Sequence, residues 1–193
     1  MAFTLQIGDK APDFSLCGTD CLSHSLSDFN GSPTLVVFFT CNHCPYVIAS
    51  DPYTIKTYEK FNPLGVDFLA INSNSPNTVA QDSFDNMVAR MEKYHLPWLY
   101  LCDASQEIAK AYGALKTPHF FVFNNERKLI YTGRALDNPR EPKKSTTNNL
   151  DLALTQHLEN KPIQTPVTNP IGCNIKWESK PPHWMPPEAC DLV

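Results

Sequence analysis

The stretch VVFFTCNHCPY, residues 36–46, decides the fold. The run TLVVFFT, residues 34–40, is continuously apolar and mostly β-branched or aromatic, the pattern of a strand buried on both faces. Two cysteines follow it, with Asn42 and His43 between them and Pro45 directly behind. From Cys44 to Phe61 the spacing turns helical. Pro45 falls in the first turn, where its missing N–H costs nothing. Pro52 lies deeper and predicts a kink or a restart, capped by Ser50 or Asp51. The dithiol therefore sits at a strand-to-helix junction.

Outward from this junction, strands and helices alternate. PDFSL (12–16) reads as a short strand, and the Ser-, Asp- and Gly-rich residues after it read as a hairpin or turn region. VDFLAINSN (66–74) and WLYLCD (98–103) read as further strands. Residues 75–96 carry helical spacing at Phe84, Met87, Val88 and Met91. Residues 104–115 predict a helix with Asp103 as N-cap and Gly113 at its end. TPHFFVFN (117–124) and KLIYTGR (128–134) predict a strand pair, and 146–160 a last helix with Leu150, Leu154 and Leu158 on one face. Alternation that ends in a hairpin implies an α/β domain with a mixed sheet flanked by helices. Residues 1–160 form this domain. Residues 161–193 hold seven of the 17 prolines and predict an extended tail, packed on the domain or trailing from it.

The composition is that of a globular chain: 193 residues, 42% apolar, 19% charged. A net charge of −4 without clustered Lys and Arg argues against nucleic acid as the partner. No window approaches 18 uninterrupted apolar residues, so no membrane span is expected. The N-terminus lacks a basic region followed by a long apolar run, and a cytoplasmic location is expected. Seven cysteines, an odd number, stand at 17, 21, 41, 44, 102, 173 and 190. In a reducing compartment a close pair is more often catalytic or metal-binding than structural.

A C-x-x-C pair at this junction has a clear use. The helix dipole and free N–H groups favour a thiolate, which predicts Cys41 as the attacking nucleophile. Cys44, one turn on and more buried, is expected to resolve the mixed disulfide. Protonated His43 would lower the Cys41 pKa further. Thr117-Pro118, before a strand, suits a cis bond that faces the dithiol and leaves a backbone edge free for an extended substrate. Thr117, Asn42 and Pro45, which flank the dithiol and this proline, are the candidate substrate contacts. Three rivals stand beside this reading. A zinc site needs four ligands, and Cys17, Cys21 and His24 could supply the rest only at loose spacing. A peroxidase pattern P-x-x-x-T/S-x-x-C does not fit at either cysteine. A copper-delivery C-x-x-x-C is one residue longer than the pair here.

The segments FTCNHCPYV (39–47), AINSN (70–74), DSFDNM (82–87), QEIAKAYGALKTPHFFVF (106–123), YTGRALDN (131–138) and IGCNIKW (171–177) together resemble the redoxin (AhpC/TSA-like) group of the thioredoxin superfamily. The resemblance implies a thioredoxin fold with an N-terminal extension and a helical insertion. It also implies a thiol–disulfide oxidoreductase with Cys41 and Cys44 as the redox pair and a cis Pro118. No metal or organic cofactor is needed for that chemistry. The partners are a disulfide-bearing protein or small thiol and a reductant for recycling. A thiol-dependent peroxidase and a copper- or zinc-binding redox sensor remain the alternatives. Cys173 has two readings: a third redox thiol brought over the dithiol by the tail, or a small apolar side chain packed beside Ile171, Ile175 and Trp177, the commoner fate of a free cysteine.

Overall fold

The computed structural model describes residues 3–181, 183–187 and 189. Cys190, a candidate exposed thiol, lies outside them. The chain runs β1 (Ser15–Gly18), β2 (Ser23–Ser25), β3 (Thr34–Phe39), α1 (Pro45–Phe61), β4 (Val66–Asn72), α2 (Phe84–Tyr94), β5 (Leu99–Cys102), α3 (Glu107–Tyr112), β6 (Lys116–Thr117), β7 (His119–Phe123), β8 (Leu129–Gly133), α4 (Asn149–Leu158) and β9 (Cys173–Asn174). One seven-stranded sheet has the order β2-β1-β5-β4-β3-β7-β8. β4 pairs parallel with both β3 and β5, while the other neighbours pair antiparallel. A separate two-stranded ribbon joins β6 to β9.

β3 is the centre of the core. All six of its residues are buried, as a strand covered on both faces must be. Val36 and Phe38 point to one face, where they pack with Phe61 of α1, Met87 of α2 and Leu150 and Leu154 of α4. Leu35, Val37 and Phe39 point to the other, against Ala109 and Tyr112 of α3 and, from the C-terminal segment, Ile175 and Trp177. The segment after residue 160 thus lends side chains to the core. Burial of a side chain such as Ile175 stabilises its docking by about 1.5–3 kcal/mol. No helix among the described residues is long and apolar enough to cross a membrane.

Three local expectations are corrected. α1 runs unbroken through Pro52, with no restart and no cap at Ser50 or Asp51. Hydroxyls supply donors around the proline instead. Ser50 Oγ donates to the Tyr46 carbonyl at 2.7 Å, and Thr54 Oγ1 to the Ser50 carbonyl at 3.4 Å. α3 is shorter than its spacing suggests. Its N-cap is Gln106, in the left-handed region at φ 64°, rather than Asp103. The Asp103 carboxylate still accepts the Ala109 N–H at 2.9 Å, so it caps the first turn from three residues farther upstream. Residues 75–83 are a loop with a single 3-10 turn, and α2 starts only at Phe84, with Ser83 Oγ accepting the Asn86 N–H.

Candidate active site

β3 ends at Phe39 and α1 begins at Pro45, so residues 40–44 form the corner between them. Pro45, exposed at the first helical position, fixes the start of α1 and leaves Cys44 as its N-cap residue. Cys41 and Cys44 are both fully buried. The Thr117–Pro118 peptide bond is cis and faces them. Thr117 touches both sulfurs. Its Oγ1 lies 3.3 Å from Cys41 Sγ, and its carbonyl oxygen lies 3.3 Å from Cys44 Sγ.

The electrostatics differ from the expected assignment. The helix starts three residues later than Cys41 needs, so its N-terminus favours charge on Cys44. The close contacts of its sulfur with Cys173 and then Cys41 pull the Cys44 pKa below the ordinary thiol range, against the cost of burial. Burial pushes the Cys41 thiol well up, helped by its hydrogen bond to Cys44 and by the Asp82 charge, with only the Thr117 hydroxyl opposing. Burial thus works against the low Cys41 pKa expected from the sequence, while Cys44 Sγ stands as a donor to the Thr117 carbonyl. Relative burial does not separate the two cysteines either, since both are inaccessible.

His43 Nδ1–H donates to Asp82 at 2.6 Å. Asp82 is 2% exposed and accepts two further bonds, from the Asn42 N–H at 2.7 Å and Asn74 Nδ2 at 2.8 Å. It braces the C-x-x-C turn from the loop before α2. Asn42 is fixed from its side chain too, with Nδ2 donating to the Gln81 carbonyl and Oδ1 accepting Tyr100 Oη at 3.0 Å. Asn42 and His43 line a cavity of about 290 Å³ with Ile48, Gln81, Asn86 and Arg90. Asp82 carries no local sequence signal of this role. Only the fold carries it across 39 residues to His43.

Cys41, His43 and Asp82 bring one ligand atom each within 4.8 Å of one another. Among the described residues this is the one such group, so Cys17, Cys21 and His24 do not complete a zinc set. His24 instead pairs with Asp20 at 2.9 Å, and both hairpin cysteines are exposed and free.

The backbone edge beside cis-Pro118, expected to be open for substrate, is occupied by this chain. Thr117 pairs with Cys173 and Lys116 with Asn174. Cys173 Sγ lies 2.9 Å from Cys44 Sγ, rather than turned away among Ile171, Ile175 and Trp177. A Cβ on Gly172 would overlap the Thr117 carbonyl, so this close approach requires glycine there.

A mixed sheet of this order, with a C-x-x-C at the mouth of α1 and a cis-proline facing it, defines a redoxin-type member of the thioredoxin superfamily. Residues 6–150 match the Redoxin family, and the chain belongs to it. The crystal structure of a hypothetical protein from Sinorhizobium meliloti 1021 is 34% identical with a TM-score of 0.86, over 92% of this chain and 97% of that one. Thiol-disulfide oxidoreductase ResA of Geobacillus thermodenitrificans is 28% identical over 131 residues, 66% of this chain and 70% of that protein. Peroxiredoxin Q of Populus jackii is 29% identical over 106 residues, 55% of this chain and 46% of that protein.

Proposed function

We propose that the chain is a thiol–disulfide oxidoreductase working through Cys41 and Cys44. The observation that carries this reading is the buried pair held against Thr117 and cis-Pro118. The pair reacts once singly deprotonated, with the charge on Cys41 and the proton on Cys44. Cys41 then attacks a substrate disulfide, forms a mixed disulfide and releases the first substrate thiolate, which accepts the proton from Cys44. Cys44 attacks Cys41 Sγ and releases the second. Two electrons have passed to the substrate, and a reductant must restore the dithiol. The substrate is a disulfide-bearing protein or small thiol, with Asn42 and exposed Pro45 as its nearest contacts, since the Thr117 edge expected to bind it is already paired with Cys173. The setting is a reducing compartment, the cytoplasm, which cell fractionation tests.

The deciding experiment is a titration in glutathione buffers with thiol trapping and mass readout. The expected result is a reversible Cys41–Cys44 couple between about −270 and −120 mV, the span of thioredoxin-like reductants and oxidants. No Cys41–Cys44 disulfide at any buffer ratio would overturn the reading. The likeness to peroxiredoxin Q favours a second reading, a thiol-dependent peroxidase. Peroxide consumption by the reduced protein, with a sulfenate trapped on one cysteine, would support it. The Cys41–His43–Asp82 convergence favours a copper- or zinc-holding sensor, which stoichiometric metal in freshly purified reduced protein would support.

A further inference from the structure

We infer that Cys173 is a third redox thiol, delivered by the chain's own C-terminal strand to the edge where an extended substrate would pair, and that it exchanges into a Cys44–Cys173 disulfide. The inference rests on the oxidoreductase reading above and adds a second disulfide to it.

Four independent features place this thiol. β9 pairs antiparallel with β6 at the residue before the cis bond, in the position of a bound peptide. Gly172 lets the backbones meet there. The segment is then locked on its C-terminal side. The Ile175 N–H donates to the Leu115 carbonyl, the Lys176 N–H donates to Asn74 Oδ1 at 2.8 Å, and Gln106 Nε2 donates to the Lys176 carbonyl. Finally, Cys173 Sγ stands 2.9 Å from Cys44 Sγ, close enough that the roughly 2.05 Å of a disulfide needs only a small movement.

Exposure then divides the three sulfurs by task. Cys41 and Cys44 are sealed, while Cys173 keeps part of its surface in solvent. An external reductant that recycles the oxidised site reaches Cys173 first. The exchange balances without any further oxidant. Once a substrate turnover has left the Cys41–Cys44 disulfide, the Cys173 thiol loses its proton to the departing substrate thiolate and attacks Cys44 Sγ. The Cys41–Cys44 bond breaks, the Cys44–Cys173 bond forms, and Cys41 leaves as a thiolate. The disulfide has moved outward by one sulfur, with no net change in oxidation. A dithiol reductant then attacks at Cys173 and supplies the two electrons that close the cycle.

The test is disulfide mapping of Cys41→Ser after exposure to glutathione disulfide. Glutathione adds at one of the two remaining site thiols, and the other displaces it. The expected product is a linked Cys44–Cys173 peptide pair, with both thiols lost to alkylation together. A stable glutathione adduct on either cysteine, or two freely alkylated thiols, overturns the inference. Gly172→Val in the Cys41→Ser background should abolish the crosslink by lifting β9 from Thr117. A crosslink that persists there overturns delivery by this strand. Cys173→Ser, titrated alone, reports the Cys41–Cys44 couple by itself. Its absence would sink the oxidoreductase reading, whereas its presence beside a failed crosslink would sink only this one.

Discussion

The molecule holds two closely spaced cysteine pairs, and they have opposite fates. Cys17 and Cys21 lie in the β1–β2 hairpin, exposed, with the Cys17 thiol doing no more than donating to the Gly18 carbonyl at 3.5 Å. Cys41 and Cys44 lie between a fully buried strand and a long helix, sealed from water and strongly shifted in opposite directions. Spacing alone does not distinguish the pairs. A hairpin at the sheet edge offers no helix terminus, no facing loop and no low-dielectric surroundings. The β3–α1 corner offers all three, and thiol chemistry follows thiolate stabilisation rather than proximity.

The sharpest break of this comparison is substitution within the buried pair. Cys41→Ser and Cys44→Ser should each abolish the Cys41–Cys44 couple, and Cys41→Ser should keep only the turnover that Cys44 and Cys173 support. They should differ in what they trap. Cys44→Ser should accumulate a mixed disulfide at Cys41 when a disulfide substrate is added. A mixed disulfide on Cys44 in Cys41→Ser, with none in Cys44→Ser, would reverse the order of attack.

A smaller effect comes from the brace. Asp82→Asn removes a charge that raises the Cys41 pKa, so alkylation of Cys41 at neutral pH should become faster. The same change replaces one acceptor oxygen with a donor facing His43, Asn42 and Asn74. Leaving such buried donors unpaired costs about 1–3 kcal/mol of stability. The two readouts should therefore move in opposite senses, with lower stability and higher Cys41 reactivity. Slower Cys41 alkylation would show that Asp82 acts only as a scaffold.

Much of this was legible in the sequence, and its limits are physical. The apolar run at 34–40 specified the central strand because no other structure buries six such residues on both faces. The C-x-x-C and Thr117-Pro118 named the site residues, since both are local patterns. What stayed hidden was non-local. The start of α1 at Pro45, which moves the favoured charge from Cys41 to Cys44, is a shift of a few residues at an element boundary. The His43–Asp82 bond depends on how the loop before α2 folds back. The docking of Cys173 on Thr117 spans 56 residues and rests on a ribbon of only two pairs, for which a proline-rich stretch carries no strand signal. Proline composition suggested an extended tail and left open whether it packs on the domain, and the buried Ile175 and Trp177 anchor it there.

The acid limb of stability probes the walls of the site. His119, directly behind cis-Pro118, is buried with Nδ1 lacking a hydrogen bond, and burial lowers its pKa to about 3. Unfolded, it takes a proton near pH 6.5, so its contribution is present above that pH and is lost as pH falls toward 3. Asp51, in the second turn of α1, has the opposite sign. Burial raises its pKa to about 6 despite the Arg90 charge. Its contribution is full below about pH 3.9 and lost as pH rises through 6. Between pH 6 and 4 the two slopes, each at most about 1.4 kcal/mol per pH unit, oppose one another. Chemical denaturation across this window should give a shallow profile for the native chain and a steeper acid loss for Asp51→Asn. An unchanged slope in that variant would show that Asp51 does not titrate there.

The smallest effect belongs to the hairpin, and it tests the other half of the comparison. Cys17 sits opposite Ser23 on one side and Cys102 on the other, at an exposed position. Cys21 stands in the left-handed region at φ 63°, exposed, in the turn itself. Serine is close in size to cysteine, and neither site buries the sulfur. The double substitution Cys17→Ser, Cys21→Ser should therefore change stability by no more than about 0.5 kcal/mol, the usual range for surface positions. The Cys41–Cys44 potential should stay where it is in the native chain, because the hairpin lies at the opposite edge of the sheet order from β7, with β5, β4 and β3 between them. A shifted potential would mean that the hairpin thiols exchange with the buried pair, and the division between an inert and a working pair would fail.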